Sequence, residues 1–363
     1  MLKRGLKMSN DFCLEKGQGI EEYIKIIKRL ERSNMITVFR GETVDYGGTA
    51  CQPNIFRNGY LDNNEFFEKN VLDEMSANHI AKGDSYLEKA INAQHGGFPS
   101  RLLDVTYNSL IALFFAITPF YTEKITKTDK ENGYVYVFYL DEMFCPVGDG
   151  VKENYEELIC RKKKWYSHST LFNRNFKLID HIKINQRIIA QQGAFILFQG
   201  LDAQPFPKTF YTRIKINGDA KEELRRELKQ LFGIHMGTVY PEENNLVDVI
   251  LDKSRVTNSR GFELENELEL VLRSLERDLD YYLCLIVVDK NGKKKIREME
   301  KLIYWYKMGY QKTREAIVES DYQGKESILL SFEEAFNMLI EKCYSNIEKY
   351  YKNEYLNREE TLI

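Results

Sequence analysis

Apolar positions recur at helical spacing over residues 19–34, where Ile20, Tyr23, Ile24, Ile27 and Leu30 predict an amphipathic helix. The pattern then changes. "MITVFRGE" (35–42) is extended and β-branched and stops at Gly41, which predicts a strand carrying Arg40 at its end. "YGGTACQPNIFRNG" is rich in turn residues and is expected to be loop, and residues 63–91 return to helical spacing through Phe66, Phe67, Val71, Met75, Ile80, Leu87 and Ile91. Asn108 predicts the N-cap of an apolar helix over 109–118. "GYVYVFYL" (133–140) and "TFYTRIKI" (209–216) predict strands, and "RIIAQQGAFILFQG" (187–200) predicts a helix end or turn feeding a strand. Residues 148–182 are expected to form a polar surface excursion, and 219–232 an amphipathic helix ended by Gly233.

Past residue 255 the character shifts: Leu264, Leu268, Val271, Leu272, Leu275 and Leu279 form a helical stripe, "YYLCLIVVD" predicts a strand, and 296–318 and 331–356 predict helices. The fold class expected is α+β, with a mixed central sheet, flanking helices and a mainly helical C-terminal extension. The expected division is an α+β domain over 1–255 and a mainly helical region over 256–363.

Composition narrows the function classes. With 363 residues, 43% hydrophobic and 29% charged, the chain is long enough for one large domain or two ordinary ones and too apolar for disorder. A formal charge of −3 gives no global bias toward nucleic acid or an anionic membrane. The longest apolar run, "LIALFFAI" (110–117), falls well short of the ~20 residues a membrane span needs and predicts a buried helix. The opening "MLKRGLKMSNDF" lacks the apolar core of a secretory signal, and six cysteines (13, 51, 145, 160, 284 and 343) lie far apart without a C-x-x-C pair. A cytoplasmic protein with reduced thiols is therefore expected.

Three segments hold polar residues that a generic core does not require. In "FRGE" (39–42), Arg40 offers a fork of paired donors at a strand end and Gly41 allows close approach, which suits a phosphate or carboxylate; an arginine tied to a carboxylate at a turn is the structural alternative. In "NAQHGGFPSRLLD" (92–104), two glycines and a proline bend the chain between Gln94, His95 and the pair Arg101 and Asp104. His95 is a candidate general acid/base or polar contact, and Asp104 a candidate catalytic carboxylate. Arg101 and Asp104, three residues apart, share one face if helical and pair there, for ligand binding or for structure. In "RIIAQQGAF" (187–195), Gln191 and Gln192 present amides to a ligand or cap buried backbone. No phosphate-loop, dinucleotide or zinc-protease motif is present, and the five histidines are scattered, so no metal site is expected. "RKKKW" (161–165) with Tyr166 and His168 is a basic–aromatic patch, read first as a solvated loop, which makes nucleic acid the least favoured partner; the carboxylates of "FELENELELVL" form the wet face of a helix.

Taken in order, these segments resemble the FRG-domain family, named for its Phe-Arg-Gly motif. "VFRGE" carries that motif at Phe39, Arg40 and Gly41, and "QHGGFPSRLLDVTYNSLIALFFA" (94–116) is similar to the family's Q-H-x-G-x-P-T-R-L-L-D-W-T-x-N-P-L-x-A-L-x-F-A. "RIIAQQGAFILF" resembles its later R-x-x-x-Q-x-G-x-F segment, and "LKQLFGIHMGTVYPEENNL" its usual ending, so the likeness spans roughly residues 20–250. Glu42 stands where Gln is frequent, Ser100 where Thr, Val105 where Trp and Ser109 where Pro is usual. The family occurs in bacterial and phage-associated proteins. Its strand-borne Arg-Gly is similar to the first motif of arginine-type ADP-ribosyltransferases, which implies that Arg40 grips the pyrophosphate of NAD as substrate while Gln94, His95 and Gln191 line the nicotinamide or ribose side. A transferase or glycohydrolase of that kind, serving as a defence effector, needs a carboxylate beside the reacting ribose, and Glu42 and Asp104 are nearest in motif. The alternative is a nucleotide-binding or sensor module without chemistry. The partners expected are a small anionic ligand or nucleotide and, through the C-terminal helices, another protein, with no membrane.

Overall fold

A computed structural model describes residues 11–62, 64–95, 97–119, 127–162, 169–180, 186–200, 205–257, 261–288 and 292–360. The chain divides into two compact units, residues 1–255 and 256–363. The first is α+β and holds one eight-stranded mixed sheet: β1 (Asp11–Leu14), β2 (Ile36–Glu42), β3 (Leu102–Thr106), β4 (Gly133–Leu140), β5 (Met143–Phe144), β6 (Lys177–Ile179), β7 (Gly193–Leu197) and β8 (Tyr211–Ile216). The strands lie side by side in the order β1-β8-β4-β2-β3-β7-β6-β5.

Alternation along β4 shows why this strand is apolar throughout. Val135, Val137 and Tyr139 join a core under the helices Ile20–Leu30, Ser109–Ile117 and Lys221–Phe232, while Tyr134, Tyr136, Phe138 and Leu140 join a second, aromatic core on the other face. With both faces covered, every residue of β4 is buried. A third core joins β3, β6 and β7 to the helices Phe67–Ala77, Tyr86–His95 and Asp149–Cys160.

Two close approaches fix the 109–117 helix on the sheet. A Cβ on Gly41 would lie 2.0 Å from the Ala112 carbonyl oxygen, and one on Gly133 would lie 2.1 Å from that of Ala116. Asn108 caps the helix as expected, its side chain accepting from the amides of Leu110 at 2.9 Å and Ile111 at 3.4 Å. Gly233 ends the 221–232 helix at φ 65°, a left-handed position that costs glycine little.

Several expected elements differ. The stretch 63–91 is two helices, broken where His79 takes φ 58° and Gly83 takes φ 149°. The excursion over 148–182 contains a packed helix, because Val151, Tyr155, Leu158 and Ile159 recur on one face of 149–160 and are buried, and it also supplies β6. "RKKKW" from Lys163 onward, with Tyr166 and His168, lies outside the described residues. "YYLCLIVV" is the end of the helix Leu264–Val288, not a strand. Leu268, Leu275, Leu279 and Ile286 keep a seven–four–seven rhythm, and burying that seam against the helices Gly292–Glu319 and Lys325–Glu360 overrides the local β preference. No helix among the described residues is long and apolar enough to cross a membrane.

The pairing of Arg101 with Asp104 does not form. Residues 102–106 are a strand, so positions an odd number apart point to opposite faces. Arg101 is instead 1% exposed and bound to Glu68: its amide donates to Oε1 at 2.9 Å and its Nε to Oε2 at 2.7 Å. Tyr155 donates to the same Glu68 at 2.6 Å, and Arg101 Nη1 reaches the carbonyl of Gly200 at 3.3 Å. Replacing Glu68 with Ala strands a buried guanidinium and is expected to cost about 3–5 kcal/mol; Tyr155→Phe is expected to cost about 1–2 kcal/mol. Gly41→Ala forces the 109–117 helix off the sheet, at about 3 kcal/mol. Chemical denaturation of the three variants checks the order.

Candidate functional site

Strands β2 and β3 share a single rung, Phe39 opposite Thr106. Beyond it β2 follows β4 through Glu42, and β3 follows β7 back to Leu102, so the sheet opens between two neighbours that are each fully paired on their other side. A cavity of about 280 Å³ occupies that opening. Unpaired backbone edges and the side chains nearest the split form its wall.

Arg40 and Glu42, two apart on β2, lie on the same face. Glu42 is 3% exposed, and its Oε1 accepts from Arg40 Nε at 3.1 Å, Arg57 Nη2 at 3.3 Å and the Cys51 amide at 3.1 Å. Arg40 Nη1 spans the split to the carbonyl oxygen of Asp104 at 2.8 Å. Two fixed contacts thus aim the guanidinium, and among the described residues its Nη2 has no hydrogen-bond partner. Arg57 stacks over Tyr46 at 5.1 Å. From the far side of the cavity, Arg187 lies over the Tyr240 ring at 4.6 Å.

Asp104 is the one exposed residue of β3, and among the described residues no other side chain donates to its carboxylate. Surrounding protein displaces bulk water from it and raises its carboxyl above the usual aspartate value, with Arg40 and then Arg187 pulling it down. Cys51 is buried, and burial followed by the charge of Glu42 holds its thiol well above the usual value, which disfavours the thiolate. Gln191 donates from Nε2 to the Val239 carbonyl at 3.1 Å, and its own carbonyl accepts from the Thr106 hydroxyl at 2.7 Å. Gln94 donates from Nε2 to the Leu102 carbonyl at 2.5 Å.

Of the residues singled out from sequence, Arg40, Gly41, Gln94, Asp104 and Gln191 line this one cavity. Arg101 does not, because Glu68 holds it in the interior. Gln192 is exposed in a left-handed turn, φ 47°, where its carbonyl accepts from the Tyr107 amide. His95 ends the helix Tyr86–His95, and its side chain lies outside the described residues. The glycine of the Phe-Arg-Gly motif touches the cavity, but its lack of a side chain answers to the helix behind it rather than to a ligand. Sequence reading passed over Arg57, Arg187 and Tyr240. Arg187 had a signal: it opens the third motif four residues before Gln191, a spacing that puts both on one face of the helix Gln186–Gln191.

Residues 35–124 match the family model of the FRG domain. The chain carries an FRG domain over that stretch. Neither the curated proteins nor the solved structures gave a match. The FRG match takes in β2, β3 and the 109–117 helix, and ends before the helix that supplies Arg187 and Gln191.

A raised carboxyl sets the sign of a pH effect. Asp104 binds its proton more tightly folded than unfolded, so it favours the folded state when protonated, and that advantage is lost as pH rises through its folded value. Asp104→Asn is therefore expected to melt higher than the parent at neutral pH, with the difference shrinking as pH falls into the ordinary carboxylate range. Thermal melts across pH read this directly.

Proposed function

We propose that the FRG unit binds a phosphate-bearing nucleotide in the cavity between β2 and β3. The observation that carries this reading is the aimed guanidinium of Arg40, held by Glu42 on one side and the Asp104 carbonyl on the other with Nη2 left to donate. Arg40, Arg57 and Arg187 face Glu42 and Asp104 around the cavity, an excess of one positive charge, which favours an anion. Aromatic side chains of Phe115 and Tyr240 in the same wall suit a base or ribose.

NAD is the substrate proposed, cleaved as in a glycohydrolase or ADP-ribosyltransferase. The bond from ribose C1′ to the nicotinamide nitrogen breaks and nicotinamide leaves with the electron pair. The Asp104 carboxylate faces the oxocarbenium that remains, and water or an acceptor adds to C1′ and gives up a proton. An activity of this kind would serve a bacterial defence effector by depleting NAD in the cytoplasm. A nucleotide sensor without chemistry is the second reading. It draws on the engagement of Glu42 by two arginines, which leaves Asp104 as the one carboxylate open to the cavity among the described residues.

Melting temperature with NAD, ADP-ribose, ATP and phosphate-free nucleosides separates these readings, run beside a chromatographic assay for nicotinamide. The phosphate-bearing ligands raise the melting temperature and the nucleosides do not; Arg40→Ala abolishes the shift. Asp104→Asn keeps the shift and loses nicotinamide release, by about a hundredfold or more. Release falls on the acid side at a pH above the ordinary aspartate value of about 4. A shift without release leaves the sensor, and no shift by any phosphate ligand removes both readings.

A further inference from the structure

Two glutamines in the cavity wall are each fixed in one orientation. Gln94 and Gln191 both line the opening between β2 and β3. Gln94 donates from Nε2 to the Leu102 carbonyl at 2.5 Å, and Gln191 from Nε2 to the Val239 carbonyl at 3.1 Å. Only the nitrogen end of an amide can donate to a main-chain carbonyl, so these contacts decide which end of each side chain is which. The amide oxygens are left over. Among the described residues neither accepts a hydrogen bond, and that of Gln94 is buried. A buried acceptor without a donor is costly, and a donor brought by a ligand removes the cost.

Strand β3 sets their spacing. Gln94 is tied to Leu102, and the main-chain carbonyl of Gln191 accepts from the Thr106 hydroxyl at 2.7 Å. Leu102 and Thr106 each stand two residues from Asp104, about 7 Å along a strand, one on either side. The two acceptors therefore flank the carboxylate to which the reacting ribose is assigned. Val239, which holds Gln191, precedes Tyr240, and the Tyr240 ring meets Phe115 edge to face at 6.1 Å. Arg187, which lies over the Tyr240 ring, also meets Glu242 at 3.7 Å, so a ligand carboxylate has to compete for it.

Given the nucleotide reading above, on which this rests, we infer that Gln94 and Gln191 decide which dinucleotide the site takes, each accepting from an N–H group at one end of NAD. Those groups are the amine of adenine and the carboxamide of nicotinamide. Nicotinamide hypoxanthine dinucleotide and nicotinic acid adenine dinucleotide each place an oxygen where one of these N–H groups stands. Oxygen then faces oxygen, and the glutamine cannot turn its nitrogen inward without giving up the main-chain carbonyl that holds it. Both analogues are refused although they carry the same pyrophosphate.

The test is titration calorimetry with NAD, the two analogues and ADP-ribose, on the parent chain and on Asp104→Asn, in which the dinucleotides stay intact. ADP-ribose keeps the adenine amine and both phosphates, and shows whether the nucleotide reading itself stands. NAD is expected to bind at least about tenfold more tightly than either analogue. Gln94→Lys and Gln191→Lys, confirmed as folded by circular dichroism, keep a donor for the Leu102 and Val239 carbonyls and remove the acceptor. Each is expected to erase the preference at one end of the dinucleotide, against hypoxanthine or against nicotinic acid, and to keep it at the other. A glutamine that served the fold alone would move neither ratio. Equal binding of NAD and both analogues, or ratios that both lysine variants leave as they were, overturns the inference while ADP-ribose still binds. No binding of ADP-ribose or NAD removes the nucleotide reading and this inference with it.

Discussion

The approach of the 109–117 helix to β2 is the constraint on which the first unit depends. At Gly41 the helix backbone occupies the space a side chain would need, and Gly133 on the neighbouring strand meets it in the same way. Such contact presses one face of β2 against the helix and commits Phe39 to that core. Since side chains alternate, Arg40 and Glu42 must then lie on the opposite face. The pairing of a charged residue with a glycine in the motif is thus a consequence of packing: one position faces the helix, and the next faces the cavity.

The cavity itself follows from incomplete pairing. β2 is matched to β4 over seven residues and β3 to β7 over five, whereas β2 and β3 share one rung. Two halves of the sheet diverge there, and Arg40 bridges the mouth of the split to the Asp104 carbonyl. That single hydrogen bond both satisfies an unpaired backbone acceptor and orients the guanidinium. Glu42 completes the arrangement by holding Arg40 and Arg57 together, so a carboxylate next to the motif acts as a clamp while Asp104, from the other strand, stays open.

Arg101 and Asp104 show how far sequence reading reaches. Both stand in the same motif three residues apart, and spacing alone leaves a helical pair, a ligand site or a structural lock open. Strand geometry sends them to opposite faces, one into the interior against Glu68 and Tyr155, the other to the cavity. Glu68 and Tyr155 lie in helices far away in sequence, and no local pattern announces that they meet an arginine. Arg187 was overlooked for a related reason: an arginine at the start of a short helix is ordinary until Tyr240 and Asp104 are seen around it.

Local physics, by contrast, was readable. Runs of β-branched and aromatic residues marked β4, β7 and β8, helical period marked the 20–30, 109–117 and 221–232 helices, and side-chain and glycine chemistry marked the cap at Asn108 and the stop at Gly233. These features depend on neighbours within a few residues, so the order of residues determines them. The split between β2 and β3, the partners of Arg101, the helical state of "YYLCLIVV" and the gathering of Arg40, Asp104 and Arg187 around one hollow depend on segments tens of residues apart. Only the packed chain decides those, because burial and pairing are settled by whichever distant surface arrives to complete them.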